Sequence, residues 1–538
     1  MVQHCSARQS PHVFNIGYRP TPLTFRHYLH SLERVAMFQY IHENFFIVVL
    51  LGFFIWIFLK WKRPPQWRLP PGPPGWPVLG NLPILFQNPG SCNDRYYYTQ
   101  CANKYGDIYK LELGPQMMYV LCNINYVREV FTHSDVQGRR PGVAYTKVFG
   151  PAAKGLILSR GQEWKTLRHF SSAVFRDIGK GVFESKILSE MNRLVNKIDA
   201  LLDKPCWSLQ ELFNKSVSNI ICGITFGQQF DYEDARFERV VLTMESYAKA
   251  LGPSAILLTS NFLSSLPFGP GKRLKDHLHN FKTFLDEIIQ EHSKTLKKEN
   301  FPKNYVDAFL KEMYATKNNS IFNHDNLLTC CLELFFAGTE TTAATLSYAI
   351  LFVATHPHVQ QQCQEELDSV LEKDGIPSYA DRSKFPYLQA FILETMRMSN
   401  VGPLGVPHQT ERALEFFGYD FPKDTLVVAN MGSILMNESA FPNPRKFIPE
   451  RFLEEGRFKP NSDIIPFSTG RRVCLGEQLA RMGIFLFLAC LLSRYSFKAP
   501  DGIEMPSILE GQYGGSRTPL PYAVIISKRG TASKTKDS

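Results

Sequence analysis

Residues 467–476 read FSTGRRVCLG and set one cysteine, Cys474, between two glycines, after a stretch that reads as an apolar strand and just before the helical run EQLARMGIFLFLACLL. A cysteine so placed suits a thiolate metal ligand. Backbone N–H groups of the turn and the N-terminus of the next helix temper its negative charge, while low-polarity surroundings keep the sulfur a strong electron donor. Gly470 and Gly476 are expected to let the backbone approach a flat cofactor without Cβ collisions, and Arg472 to reach an anionic substituent on it. An unpaired cysteine alone is more often a small buried hydrophobe than a ligand, so the rest of the chain must carry the argument.

The chain has 538 residues, 44% apolar and 20% charged, enough to bury a large core. No Ser/Gly-rich linker or composition shift divides it after residue 80, which predicts one large unit over 81–527. Its net charge of +10 owes six charges to the two ends: Arg8, Arg19 and Arg26 without an acid, and the basic tail 528–538. No basic run interleaved with aromatics marks a nucleic-acid surface. Eleven cysteines, an odd number without CxxC repeats, argue against a disulfide framework and a zinc site and fit a reducing compartment.

Residues 44–59, NFFIVVLLGFFIWIFL, carry no charge and are closed by KWKR. With Ile41 and the snorkelling ends of Lys60 and Trp61, 41–60 is expected to be a transmembrane anchor helix. Lys60, Lys62, Arg63 and Arg68 follow it, whereas Arg26 and Arg34 before it are offset by Glu33 and Glu43; this bias places the bulk of the chain in the cytosol. A cleaved signal peptide fits less well, because no small-residue cleavage site follows and the basic cluster lies on the wrong side. The leader 1–40 is acid-poor, like a mitochondrial transit peptide, yet precedes a spanning segment; Met37 offers an alternative start, and the leader's role is open. Prolines fill 61–80, predicting a stiff extended hinge that sets the following domain's orientation on the membrane.

Beyond residue 80 the pattern predicts a mostly α protein with a small β-rich part, an α+β class. Short strands are expected around 107–120 with a turn at Gly114 and Pro115, and long helices from about Glu163 to Met398. The apolar run 327–355 contains Glu333 and Glu340, each costing about 2.5–3.5 kcal/mol at a bilayer centre, so it is expected to be a buried core helix.

Phe467, Gly470, Arg472, Cys474 and Gly476 fill every position of F-x-x-G-x-R-x-C-x-G and so resemble the haem-binding loop of the cytochrome P450 family. Further stretches resemble the family in its own order. Trp164 and Arg168 match its W-x-x-x-R, implying hydrogen bonds to a haem propionate, and His408 matches a further propionate donor. Residues 337–342, AGTETT, resemble A/G-G-x-D/E-T, with Glu340 and Thr341 as the acid and alcohol. Reductive activation of O2 at an iron consumes two protons, which such a pair would deliver through water, and Ala337 and Gly338 are small enough to leave room for dioxygen. Glu394 and Arg397, followed by Arg451 in PERF, resemble a buried network that fixes the cysteine loop.

The resemblance spans about 44–527 and implies the P450 fold, haem b with Cys474 as axial ligand, and monooxygenase activity on a lipophilic steroid, fatty acid or xenobiotic. The pocket would be lined by 143–158, Phe336 and Ala337, 401–406 including Val401 and Val406, and 511–517. With no flavin or nicotinamide signature in the chain, electrons would come from NADPH through cytochrome P450 reductase docking at Lys165, Arg471 and Arg481, with cytochrome b5 as a second donor. The hinge points to the animal microsomal branch, in the endoplasmic reticulum membrane. Two other readings are an isomerase or dehydratase that does not use O2, and a non-enzymatic haem sensor or electron carrier. The sequons at Asn214, Asn318 and Asn437 are expected to be bare if the domain is cytosolic.

Overall fold

The computed structural model describes residues 44–61, 67–76, 79–83, 93–141, 154–207, 209–250, 270–296, 302–316, 320–372 and 375–530. The expected leader, the end of the tail, residues 143–153 of the expected pocket wall and the sequon at Asn318 lie outside them. Two units separate, 1–66 and 67–538.

In the first unit, α1 (Phe45–Trp61) is a 17-residue helix that exposes Phe45, Val48, Leu51, Phe54 and Ile55. At about 1.5 Å per residue it measures some 25 Å. No helix among the described residues is long and apolar enough to cross a membrane.

The second unit is predominantly helical. Its longer helices are α2 (Asn93–Tyr105), α3 (Ile124–Thr132), α4 (Gly161–Asp199), α5 (Leu209–Thr225), α6 (Ala235–Ala250), α7 (Pro270–Leu296), α8 (Tyr305–Ala315), α9 (His324–Thr355), α10 (Pro357–Val370) and α11 (Pro386–Ser399). A short α12 (Met431–Leu435) and the long α13 (Glu477–Arg494) complete the helical set described. The principal sheet joins β1 (Ile108–Leu113), β2 (Gln116–Leu121), β7 (Leu426–Ala429) and β4 (His408–Gln409) in the order β1-β2-β7-β4, with β2 and β7 parallel. A second sheet joins β10 (Tyr495–Lys498), β13 (Val524–Lys528) and β3 (Pro205–Cys206), and hairpins join β5 (Leu414–Phe416) to β6 (Tyr419–Phe421), β8 (Leu453–Glu454) to β9 (Arg457–Phe458) and β11 (Gln512–Tyr513) to β12 (Arg517–Thr518).

α9 begins at Asn323, whose side chain accepts the Asn326 N–H, and runs 32 residues through the core. Its buried residues stretch from Asn326 to Ala354 because helices cover it on several sides: α5, α7, α11 and α13 all pack against it. This explains why its apolar pattern mimics a membrane span. Two large clusters fill the interior, one around α4, α9, α11 and α13, the other around α6, α7, α8 and the N-terminal half of α9.

Two expectations change. The residues before Phe467 form turns, not a strand: the Ser468 N–H donates to the Ile465 carbonyl and the Cys474 N–H to the Phe467 carbonyl, both at 2.9 Å. The later part of the proline-rich stretch is no free-standing connector. Residues 70–76 run extended beside β1, where the Lys110 N–H donates to the Pro71 carbonyl at 2.8 Å, and Gly80 bridges Leu113.

Candidate active site

The cysteine loop is a short 3-10 turn, Gly470–Arg472, followed directly by α13 with Gly476 at its N-cap. Gly470 has φ +76°, and a Cβ there would stand 2.3 Å from the Phe131 carbonyl oxygen. Its glycine is thus required by close approach to the end of α3. A Cβ on Gly476 would meet only the Cys474 sulfur, at an ordinary 4.0 Å.

Cys474 is the one exposed thiol among the described cysteines; the other eight are buried. Burial by the surrounding protein raises its pKa, while the backbone N–H groups of Gly476 and Glu477 and the charge of Arg168 oppose that rise. Arg168 on α4 donates to the Val473 carbonyl at 2.7 Å, which ties α4 to the residue before the cysteine.

Around this loop lies a concentration of cationic and donor groups. Arg472 spends its donors on the carbonyls of Gln137 (2.8 Å), Ser159 (2.6 Å), Leu156 and Ile157, and its guanidinium stacks over Trp164 at 3.9 Å. An anion would have to compete with those carbonyls. Arg139, which sequence reasoning missed, donates to the carbonyls of Val406 (3.1 Å) and Pro407 (2.9 Å). Burial, and then repulsion from Arg472, lowers Arg139 to about 9; burial and repulsion from Arg168 lower Arg472 to about 9. His408 stacks on Phe131 at 3.9 Å and places Nδ1 2.7 Å from the Val136 carbonyl; burial and Arg139 push its pKa well down. None of Arg139, Arg168 and Arg472 forms an ion pair among the described residues. The indole N–H of Trp164 and Nε of Arg139 are buried and have no hydrogen-bond partner there.

Buried cations that repel one another, with donors left over, are a poor solution unless an anion completes them. A flat dianionic macrocycle whose metal is held by the open sulfur fits this donor set. Arg139 could not be found from spacing, because only the fold brings it beside residues 472 and 408.

On α9, Ala337 and Thr341 share one face and are both exposed, although the helix around them is buried. The Thr341 hydroxyl donates to the Ala337 carbonyl at 2.7 Å. A Cβ on Gly338 would lie 2.6 Å from the Ile221 side chain, so the glycine also admits close packing of α5 against α9. Burial raises the Glu340 carboxyl to about 7, assisted by Glu245 and opposed by Ser516 and Lys249. Two turns earlier, burial raises Glu333 to about 8; its Oε2 accepts the N–H groups of Leu156 (2.5 Å) and Ile157 (2.9 Å), fastening that segment to α9. Phe336 packs edge-on against Tyr247, Val401 is half-buried, and Val406 is 44% exposed.

Glu394, Arg397 and Arg451 come together. Arg397 donates through Nε to Glu394 Oε2 at 2.7 Å and through Nη2 to Oε1 at 2.8 Å, both side chains fully buried, and Arg451 donates to Glu394 at 3.1 Å. Arg397 also donates to the Leu435 and Pro444 carbonyls, pinning the irregular segment before the cysteine loop.

The family model described as Cytochrome P450 matches residues 70–526. The chain belongs to the cytochrome P450 family. It is 35% identical over 503 residues to Cytochrome P450 2D15 of Canis lupus familiaris, covering 90% of this chain and 98% of that one. It is 34% identical over 501 residues to Cytochrome P450 2B19 of Mus musculus, covering 90% and 100%, and 32% identical over 512 residues to Cytochrome P450 2U1 of Bos taurus, covering 90% and 93%. As a cytochrome P450 the chain is a haem-thiolate monooxygenase, and members of this family use haem b with NADPH supplied through a reductase.

Proposed function

We propose that this cytochrome P450 is anchored to the endoplasmic reticulum membrane by a single pass, with its catalytic domain in the cytosol, and inserts one oxygen atom of O2 into a lipophilic steroid, fatty acid or xenobiotic. The observation that carries the reading is the open thiol of Cys474 beside buried, anion-less cations. Haem b bound there supplies the metal at which O2 is reduced and cleaved.

Cys474 would hold the haem iron through its thiolate, whose charge the Gly476 and Glu477 amides temper. Trp164, Arg168, Arg139 and His408 would hold the propionates, with Phe467, Arg472 and Gly476 shaping the loop. Burial and Arg139 favour the neutral ring of His408, and only the protonated ring would offer a propionate a hydrogen bond from Nε2 while Nδ1 faces the Val136 carbonyl. Glu340, with a pKa near neutrality, can both take up and release a proton near neutral pH and would pass it by way of water to Thr341, whose oxygen keeps a lone pair for it while its own proton rests on the Ala337 carbonyl. Glu394, Arg397 and Arg451 keep the loop in place. Phe336, Ala337, Val401 and Val406 bind substrate by apolar contact and exclude water.

Electrons enter through NADPH–cytochrome P450 reductase, with cytochrome b5 as a second donor, on a surface where Lys165 and Arg471 are exposed and Arg481 is half-exposed. The exposed apolar side chains of α1 and the basic residues after it favour membrane anchoring. A reconstituted turnover screen tests the reading. Product from at least one substrate class, dependent on O2, NADPH and reductase, supports it; product formed without O2 or NADPH contradicts it.

A further inference from the structure

The hairpin β11–β12 is held more firmly than its two-residue strands explain. Arg517 is fully buried and donates to the carbonyls of Met398, Ser399, Leu509 and Glu510, stacks over Tyr348, and gives its own N–H to the Val401 carbonyl at 2.8 Å. The tip is tied separately to the end of α6: the Gly515 N–H donates to the Ala248 carbonyl at 2.7 Å, and a Cβ on Gly514 would stand 2.8 Å from that oxygen. Anchored at both ends, the tip carries Ser516, which is 4% exposed.

Its hydroxyl has no hydrogen-bond partner of ordinary geometry among the described residues, and neither has Glu340 Oε2 on α9. Yet β12 packs against α9, and a hydrogen-bonding interaction with Ser516 is the largest influence opposing the effect of burial on that carboxyl. Two buried polar atoms left over side by side, one a donor and one an acceptor, are costly apart and complementary together. Neither side chain is held by another side-chain hydrogen bond among the described residues, so both are free to turn toward each other. The charged groups facing Glu340 are Glu245 and Lys249 of α6, while the hairpin faces it with Ser516.

We propose that Ser516 is a positioning residue whose hydroxyl donates to the Glu340 carboxyl and sets the direction in which that acid hands on its proton. The inference rests on the reading of Glu340 as the proton source. It gives the hairpin a part in proton delivery as well as in lining the pocket.

The test uses the haem-loaded full chain with S516A, S516T and E340Q. The Glu340 carboxyl vibration is identified in the infrared spectrum as the band that E340Q removes, and the pH midpoint at which hydrogen peroxide release rises is measured with reductase. Loss of a donor that favours the carboxylate should displace the band in S516A and move the midpoint upward by up to about one pH unit; S516T, keeping the hydroxyl, should restore both. The proposal is overturned if S516A leaves band and midpoint where the parent has them, or if S516T moves as far as S516A. Should E340Q leave peroxide release unchanged while S516A still displaces the band, the contact stands and the proton-source reading of Glu340 fails.

Discussion

Thr341 and Glu340 are neighbours in sequence but do separate things. The threonine lies on the open face of α9 beside Ala337, whereas the glutamate turns toward Ser516 and α6. Replacing Thr341 by alanine removes the hydroxyl nearest the open face without touching the core. Product formation should then fall about tenfold to a hundredfold, with hydrogen peroxide released in its place, while T341S keeps most of the coupling; the ratio of product to peroxide per NADPH measures this. The same residues show how far single-residue reading reaches. The acid–alcohol pair and Cys474 stand out in the sequence as candidates because each lies in a contiguous motif. Arg139 was not, since it acquires meaning only when the fold brings it to Arg472 and His408. What the sequence did not show of Gly470 and Gly338 is that each also admits a neighbouring helix, α3 and α5 respectively.

At the scale of elements, α11 and the segment leading to the cysteine loop are joined by the buried Glu394–Arg397–Arg451 group. E394A would leave two guanidinium groups short of their anion, one of them fully buried, and should destabilise the fold by about 3–5 kcal/mol, read as a lower denaturation midpoint with loss of haem. The network was legible from E-x-x-R and P-E-R-F; the turns before Phe467 were not, because a short apolar run followed by a glycine also fits a strand. α9 supplies a pH prediction. Glu340 is raised from 4.5 to about 7 in the folded chain and Glu333 to about 8, so the native state binds more protons than the unfolded one between those values. Stability is therefore greatest below about pH 4.5 as far as these groups are concerned, and falls as pH rises. E340Q should flatten the part of the slope that ends near pH 7 and leave Glu333's part, as thermal melts at stepped pH would show.

For the molecule as a whole, the expected membrane topology has a reporter, though not the one the sequons first offered. Asn214 is 3% exposed and donates to Glu245 at 2.6 Å, so its side chain is closed to modification in the folded chain whichever side of a membrane it faces. Asn437 is exposed and informative. In cells the full chain should show no glycan at Asn437, judged by unchanged mobility after glycosidase; a shift abolished by N437Q would place the domain in the lumen. The helical class, the small sheet and the buried character of α9 were all legible, because hydrophobic period, turn residues and two intrahelical acids agree. How the proline-rich stretch lies along β1 was not, since its backbone pairing depends on residues far downstream. All of this converges on one sulfur. The most direct measurement is the absorption spectrum of the reduced, carbon monoxide-treated protein for the parent and for C474S: the parent should show the red-shifted band of a thiolate-ligated haem and C474S should lose it, and an unchanged band in C474S would contradict the assignment of Cys474 as the iron ligand.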